Sequence, residues 1–281
     1  MENNNKILSI VIVNWNAEKL TLECLESIYT DPFFGKNSEK TEIILIDNNS
    51  SDNSVEKISG KFPSVNLISN KENQGYAIAC NSGMKIAKGK YVLLLGNDTA
   101  LKPGALSDCF NFLENNENCG AAGCRLVYPD GRLQGNCKRF PKLKNAFYTY
   151  LSLNNLNRDY DMAWFDYNST IEVDQIATTF LMIRNVLLKK IGYFNEQFRI
   201  LYNDVDLCRK IYENGFKIFF IHTAEVIHAG SHSTNRANFK VRRVMYCDIY
   251  RYFRDNFGFK ANLLFPVLLV RFLIVSLFKF H

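Results

Sequence analysis

The 281-residue sequence has no CxxC pair, no internal repeat, no Gly/Ser-rich or Pro-rich tract and no GxGxxG. The eight cysteines (Cys24, Cys80, Cys109, Cys119, Cys124, Cys137, Cys208 and Cys247) are scattered, with only Cys119 and Cys124 close together, which argues against a metal cluster. Most lie in apolar, periodic segments where a free thiol behaves as a small hydrophobe, so a reducing cytoplasm fits better than a disulfide scaffold. Six prolines and fifteen glycines in no cluster leave no long disordered linker. Without GxGxxG, a dinucleotide oxidoreductase is disfavoured. The opening MENNNKILSIVIVNWN lacks a signal-peptide pattern: its apolar stretch is short, interrupted by Ser9 and followed by Asn and Trp.

What remains is a globular composition, 47% hydrophobic and 22% charged, long enough for one large α/β domain with elaborations. The net charge of +6 is a C-terminal property. Residues 234–281 carry nine Lys/Arg against Asp248 and Asp255, leaving the rest about neutral. That disfavours a nucleic-acid surface spread over the fold and favours a local attraction to phosphates.

Strand and helix patterns alternate from the N-terminus. Ile7 to Val13 reads as a strand, with Asn16 capping a helix whose Leu20, Cys24, Leu25 and Ile28 form one face. Thr41 to Asp47 and Val65 to Ser69 are further strands, and Gly75 to Lys88 is a helix closed by Gly89. Tyr91 to Leu95, five apolar residues without alternation, is a strand buried on both faces. It stops on Gly96-Asn97-Asp98-Thr99, so Asp98 sits at a strand's carboxyl end, where open α/β sheets collect ligands. Pro103 fits the first position of the next helix, with Leu106, Cys109, Phe110 and Leu113 inward. After residue 118, CGAAGCRLVY, the turn Pro129-Asp130-Gly131 and RLQG read as a hairpin. Residues 136–170 read as loop-rich, Ile171 to Ile183 as a strand, Asn185 to Ile191 and Asp204 to Asn214 as helices stopped by Gly192 and Gly215, and Phe216 to Ile221 as a strand. Helical pattern dominates after Asn238. Such β/α units predict an α/β fold, a mostly parallel sheet flanked by helices, with a nucleotide-sized ligand at its switch point.

Four ordered segments, Ser9-Ile-Val-Ile-Val-Asn-Trp-Asn16, Ile46-Asp47-Asn48-Asn49-Ser50-Ser51-Asp52, Asn73-Gln74-Gly75-Tyr76 through Asn81-Ser82-Gly83, and Gly96-Asn97-Asp98-Thr99, resemble the family 2 glycosyltransferases of the GT-A (Rossmann-like) type. The rhamnosyltransferase-like members that elaborate surface polysaccharides are the most similar. The resemblance implies that Asn14 and Asn16 border the nucleotide base, that Asp47 meets the base or ribose, and that Asn73, Gly75 and Asn81 lie beside the nucleotide. It implies that Asn97 and Asp98 occupy the place of the DxD element, which holds Mg²⁺ or Mn²⁺ on the donor diphosphate. Gly96 stands where that element has its first Asp, leaving one carboxylate where two are expected. Read without the resemblance, Asp52 is equally an Asx-turn residue and the Gly75 segment a plain helix start.

Further on, Phe194-Asn195-Glu196-Gln197-Phe198 and Tyr202-Asn203-Asp204-Val205-Asp206 resemble the family's acidic pair before a helix, which assigns the general base to Asp204 and places Asn203 where Glu is usual. Asp204 and Asp206 also suit a helix N-terminus electrostatically. His228 sits where the family carries a His that approaches metal and diphosphate, against the alternative of a hydrogen-bonded structural His; His232 carries a weaker signal. Leu263 to Phe278 is short for a membrane span and is broken by Pro266 and Arg271; an interfacial helix next to anionic lipid and a helix buried in the protein or a homodimer stand as alternatives.

The reading is a GT-A domain over 1–235, with 1–118 the nucleotide-sugar half and 119–235 the acceptor half, followed by a basic, apolar helical extension over 236–281. It implies an inverting transferase at the cytoplasmic face that moves a sugar, rhamnose among close relatives, from a dTDP-, UDP- or GDP-sugar to a glycan or lipid-linked glycan acceptor. Two rivals stand against it. A sugar-phosphate nucleotidyltransferase needs a Gly-rich phosphate loop with Lys or Arg early in the chain, which SIVIVNWNAEKL lacks. A non-catalytic relative is favoured by Gly96, Asn195 and Asn203.

Overall fold

Alternation along the first and fourth strands explains the layering. In β1 (Leu8–Asn14), Ile10 and Ile12 point to one side and Val11 to the other; in β4 (Tyr91–Gly96), Leu93 and Leu95 oppose Val92 and Leu94, and all are buried. A strand apolar on both faces needs cover on both, which is the doubly wound arrangement. The computed structural model describes residues 6–230 and 239–278; His232, Arg236, Lys279 and the expected 235/236 boundary lie outside the described residues.

The elements in chain order are β1, α1 (Glu18–Tyr29), α2 (Pro32–Asn37), β2 (Thr41–Asp47), α3 (Ser54–Lys61), β3 (Asn66–Ser69), α4 (Tyr76–Ile86), β4, β5 (Thr99–Leu101) and α5 (Ala105–Asn115). They continue with β6 (Cys119–Val127), β7 (Leu133–Gln134), β8 (Cys137–Lys138), α6 (Leu143–Tyr150), β9 (Ile171–Val173), β10 (Gln175–Ile176), β11 (Phe180–Arg184), α7 (Asn185–Ile191), α8 (Asn203–Glu213), β12 (Lys217–His228), α9 (Phe239–Phe257) and α10 (Phe265–Phe278). The main sheet runs β3-β2-β1-β4-β11-β6-β12-β5. Its pairings are parallel except around β11 and the edge strand β5, so the sheet is mostly parallel as the sequence predicts. Register aligns Asn14 with Asp47 and Val13 with Gly96, which gathers three strand ends at one edge.

Several local expectations are corrected. The 171–183 strand is three short strands: β9 pairs with β12, β10 with β8, and only β11 lies between β4 and β6. Gly89 does not cap α4, whose C-cap is Ala87; a side chain at 89 would meet the Ser9 backbone nitrogen at 2.5 Å, so glycine there permits close strand approach. Pro103 lies ahead of α5, whose N-cap is the left-handed Gly104.

The C-terminal extension is not a separate unit. α9 and α10 fold back on each other through the 3₁₀ turn 258–264, with Arg242 donating to the Val275 carbonyl (2.8 Å) and Tyr246 packing on Phe272. By length and composition the helical stretch Phe239–Ser276 is apolar enough to cross a membrane. As folded, α10 alone has 14 residues, about 21 Å at 1.5 Å per residue, short of a bilayer core of about 30 Å. A third apolar cluster joins Ile249, Tyr252, Phe253 and Leu264 to Ala146 of α6, Val205 of α8 and Phe198.

Candidate active site

Asp98 and His228 meet although 130 residues separate them. β4 ends at Gly96, the chain turns through Asn97 and Asp98, and β5 pairs antiparallel with the end of β12, setting Thr99 opposite His228. The Ala229 N–H donates to the Asp98 carbonyl (3.0 Å), and His228 Nε2 lies 3.2 Å from Asp98 Oδ2. Gln134 of β7 fixes the other face of the ring, its Oε1 2.5 Å from His228 Nδ1. In the tautomer that donates Nδ1–H to this amide oxygen, Nε2 is the ring nitrogen left to ligate a cation beside Asp98. Two ligands at about 2.1 Å on an octahedral cation stand about 3.0 Å apart, so a carboxylate and an imidazole at this spacing fit Mg²⁺ or Mn²⁺, with diphosphate and water completing the sphere. Gly96 also has a steric reason: a Cβ there would lie 3.0 Å from Asp98 Oδ1, in the space the single carboxylate uses.

Of the other expected binding residues, Asn14, Asp47 and Asn81 turn inward, while Asn16 and Asn73 are exposed. Asn14 is fully buried and ties three strand ends together: its Nδ2 donates to Asp47 Oδ1 (2.8 Å), while its Oδ1 accepts from Thr21 (2.8 Å) and Asn97 (3.2 Å). Asp47 is 2% exposed and also accepts from the Ser50 N–H (2.9 Å) and hydroxyl (2.6 Å), so its carboxylate shapes the 47–50 turn and does not stand free for a base or ribose. Asn81, 2% exposed, bonds the Phe194 backbone N–H and carbonyl and Glu196 Oε1 (2.9 Å), so its side chain staples α4 to the 194–196 segment. Asn16 does not cap α1, whose N-cap is Ala17; it takes a left-handed φ of 49° and accepts from the Ser51 N–H (2.7 Å). Asn73 accepts from the Gly75 N–H and from Asn48, both at 2.9 Å. Asn48 is the residue the sequence reading missed: buried, it holds Asn73, Asn70 and the Gln74 N–H. Its only signal was its place in the DNNSSDNS turn.

The acidic pair divides. Asp206 pairs with Lys210 (2.9 Å) one turn on, a structural role. Asp204 is in the first turn of α8, whose N-cap is the left-handed Tyr202, and its Oδ1 accepts from the adjacent Val205 N–H (2.9 Å), with no side-chain donor among the described residues. Burial pushes its carboxyl pKa up, against the opposing pull of that N–H and of the Lys138 charge. Beside it Asn203 is 5% exposed with Oδ1 lacking a partner among the described residues, an unmet acceptor next to the acid. Opposite, the loop before α8 comes within 3.9 Å of a Cβ position on Gly75, at the Arg199 carbonyl, and Tyr76 packs on Phe194. The strand-end half and the α8 half therefore pack against each other along α4.

A family model for glycosyl transferase family 2 matches residues 9–188, more than half of the chain. The chain belongs to that family. It is 30% identical over 126 residues to a glycosyltransferase of Haemophilus influenzae, covering 44% of this chain and 38% of that protein. It is 23% identical over 209 residues to the N-acetylglucosaminyl-diphospho-decaprenol L-rhamnosyltransferase of Mycobacterium tuberculosis, covering 69% and 68%. Among solved structures, the mannosyltransferase PcManGT of Pyrobaculum calidifontis in complex with GDP-Man and Mn²⁺ aligns with TM-score 0.61 at 16% identity, over 96% of this chain and 74% of that one. The fold of this family 2 glycosyltransferase is thus the GT-A fold.

Proposed function

We propose that the chain transfers a sugar with inversion from a nucleoside diphosphate donor to a hydroxyl of a lipid-linked glycan, working at the cytoplasmic face of a membrane. The observation that carries this is the pairing of Asp98 with His228 at the β4 end, with a half-buried Asp204 that bonds only backbone N–H groups among the described residues at the start of α8. Asp98 and His228 would hold the divalent cation, which neutralises the leaving diphosphate when bound. Asp204 takes the proton from the acceptor hydroxyl as that oxygen attacks the anomeric carbon from the side opposite the diphosphate. Its raised pKa brings its basicity nearer to neutral pH, as general-base work requires. The diphospho-decaprenol acceptor in one relative's name and the GDP-Man and Mn²⁺ of one structural neighbour support this class.

Membrane contact falls to the helical hairpin. Phe265, Leu269, Val270 and Leu273 of α10 are about half exposed, and the hairpin carries Arg243, Arg251, Lys260 and Arg271. An apolar face with basic neighbours suits an anionic interface.

The test is thermal shift against dTDP-, UDP- and GDP-sugars with and without Mn²⁺. One donor series should stabilise the chain in proportion to RT ln(1 + [L]/Kd), and EDTA should remove most of the effect. No stabilisation by any donor, or equal stabilisation in EDTA, would overturn the donor or the metal assignment respectively.

A further inference from the structure

A cavity of about 610 Å³ lies beyond the strand ends, between the first turn of α6, the 156–160 segment and α8. Arg139, Lys142, Lys144 and Arg209 line it against Asp159 and Asp174, a surplus of two positive charges. Asp174 is already engaged, with the Phe140 N–H (2.8 Å) and Arg139 (3.4 Å). Arg209 is the informative group: it is half-buried on the same helix as Asp204, has no carboxylate within 4 Å among the described residues, donates to the neutral Tyr252 hydroxyl (3.0 and 3.2 Å) and lies over the Phe140 and Tyr252 rings (4.8 and 5.7 Å), so its only compensation is neutral. A partly desolvated guanidinium without a counter-ion is costly unless a ligand supplies one. Tyr160, which also lines the cavity, is electrostatically coupled to Asp204, so the two sites adjoin.

We infer that this cavity binds a phosphate or diphosphate group carried by the acceptor, next to the base that activates its hydroxyl. Four cations spread around such a volume exceed what one carboxylate engages, whereas a diphosphate offers several oxygens to planar guanidinium donors. The word acceptor rests on the transferase reading; the binding does not, and it is measured without donor or turnover.

Trp164 supplies the signal, since the Arg139 guanidinium stacks 5.7 Å from its ring. Inorganic pyrophosphate is titrated into the full chain carrying Trp15→Phe, in EDTA so that cation-dependent diphosphate binding at Asp98 is suppressed. A saturable change in Trp164 emission is expected, weakened at least tenfold in Arg209→Met and in the exposed double variant Lys142→Ala/Lys144→Ala, and weakened by salt. The double variant guards against misfolding of the first, because both lysines are on the surface. Phosphatidylcholine vesicles doped with an isoprenyl diphosphate separate the sources: tighter binding than pyrophosphate identifies a lipid-borne group, and equal binding a soluble one. No saturable change with either probe, equal affinity in both variants, or binding that appears only with a cation would overturn the assignment.

Discussion

The strand-end region and the α8 region are built on opposite terms. At the strand ends the polar side chains satisfy one another: Asn14, Thr21, Asp47, Ser50 and Asn97 form one closed, largely buried network. Around α8 the polar groups stay unmet. Asp204 meets only backbone N–H groups among the described residues, Asn203 Oδ1 has no partner there, and Arg209 leans on a phenol and two aromatic rings without a carboxylate. A satisfied network holds shape, whereas unmet groups wait for substrate. Substitutions inside this closed network, Asp98 and His228 apart, should therefore register as lost stability, and substitutions of the unmet groups at α8 as lost turnover.

The widest separation is expected for Asp204→Asn. Removing the base should lower kcat by about 10²- to 10⁴-fold. Stability should move the other way. The folded-state pKa of Asp204 is raised by burial, so the protonated form is favoured by folding, and that contribution is lost as pH rises from the unfolded pKa through the folded one. At neutral pH the ionised group opposes folding, and the uncharged variant should melt no lower than the parent and somewhat higher. The acid limb of the parent's kcat/KM profile should lie above the usual carboxylate range and vanish in the variant. A variant that keeps full turnover would remove Asp204 from the role.

Asp47→Ala should invert that pattern. It strips the Ser50 N–H and hydroxyl and Asn14 Nδ2 of a buried acceptor, at a cost of about 3 kcal/mol, since stranded buried donors cost about 1–3 kcal/mol each. The urea midpoint reports this, while the fraction that remains folded should turn over within a few-fold of the parent. An unchanged midpoint would break the contrast between the regions.

How much was legible follows the same division. β1, β2 and β4 and the ends they gather were readable because each signal is local: an unbroken apolar run and then a polar turn. The pairing of Asp98 with His228 was implied only by resemblance, since the β5–β12 register that creates it joins residues 130 apart. The inward turning of Asp47 and Asn81 was not readable, because a carboxylate or amide at an element's end looks the same whether it meets ligand or backbone. Residues 171–183 misled because one stretch of strand pattern holds three strands that serve four partners. The sequence also marked off the C-terminal extension without showing what it touches: Tyr252 and Phe253 of α9 pack on Phe198 and Tyr202, and Asp248 bonds the loop before α8.

Asp248 sits on α9, 1% exposed, and its Oδ2 accepts from three successive backbone N–H groups, those of Arg199 (3.1 Å), Ile200 (2.8 Å) and Leu201 (3.1 Å). That loop leads directly into Asn203 and Asp204, so the extension helps set where the acid stands. Asp248→Asn keeps an acceptor oxygen but removes the charge that roughly doubles the strength of such bonds. A tenfold fall in kcat is expected, with donor KM and melting temperature nearly unchanged. The discriminating readout is the pH profile. A loosened loop admits water to Asp204, relieves part of its desolvation and moves the acid limb down toward ordinary carboxylates. A helix that merely shored up the fold would lower the melting temperature and leave that limb where it was.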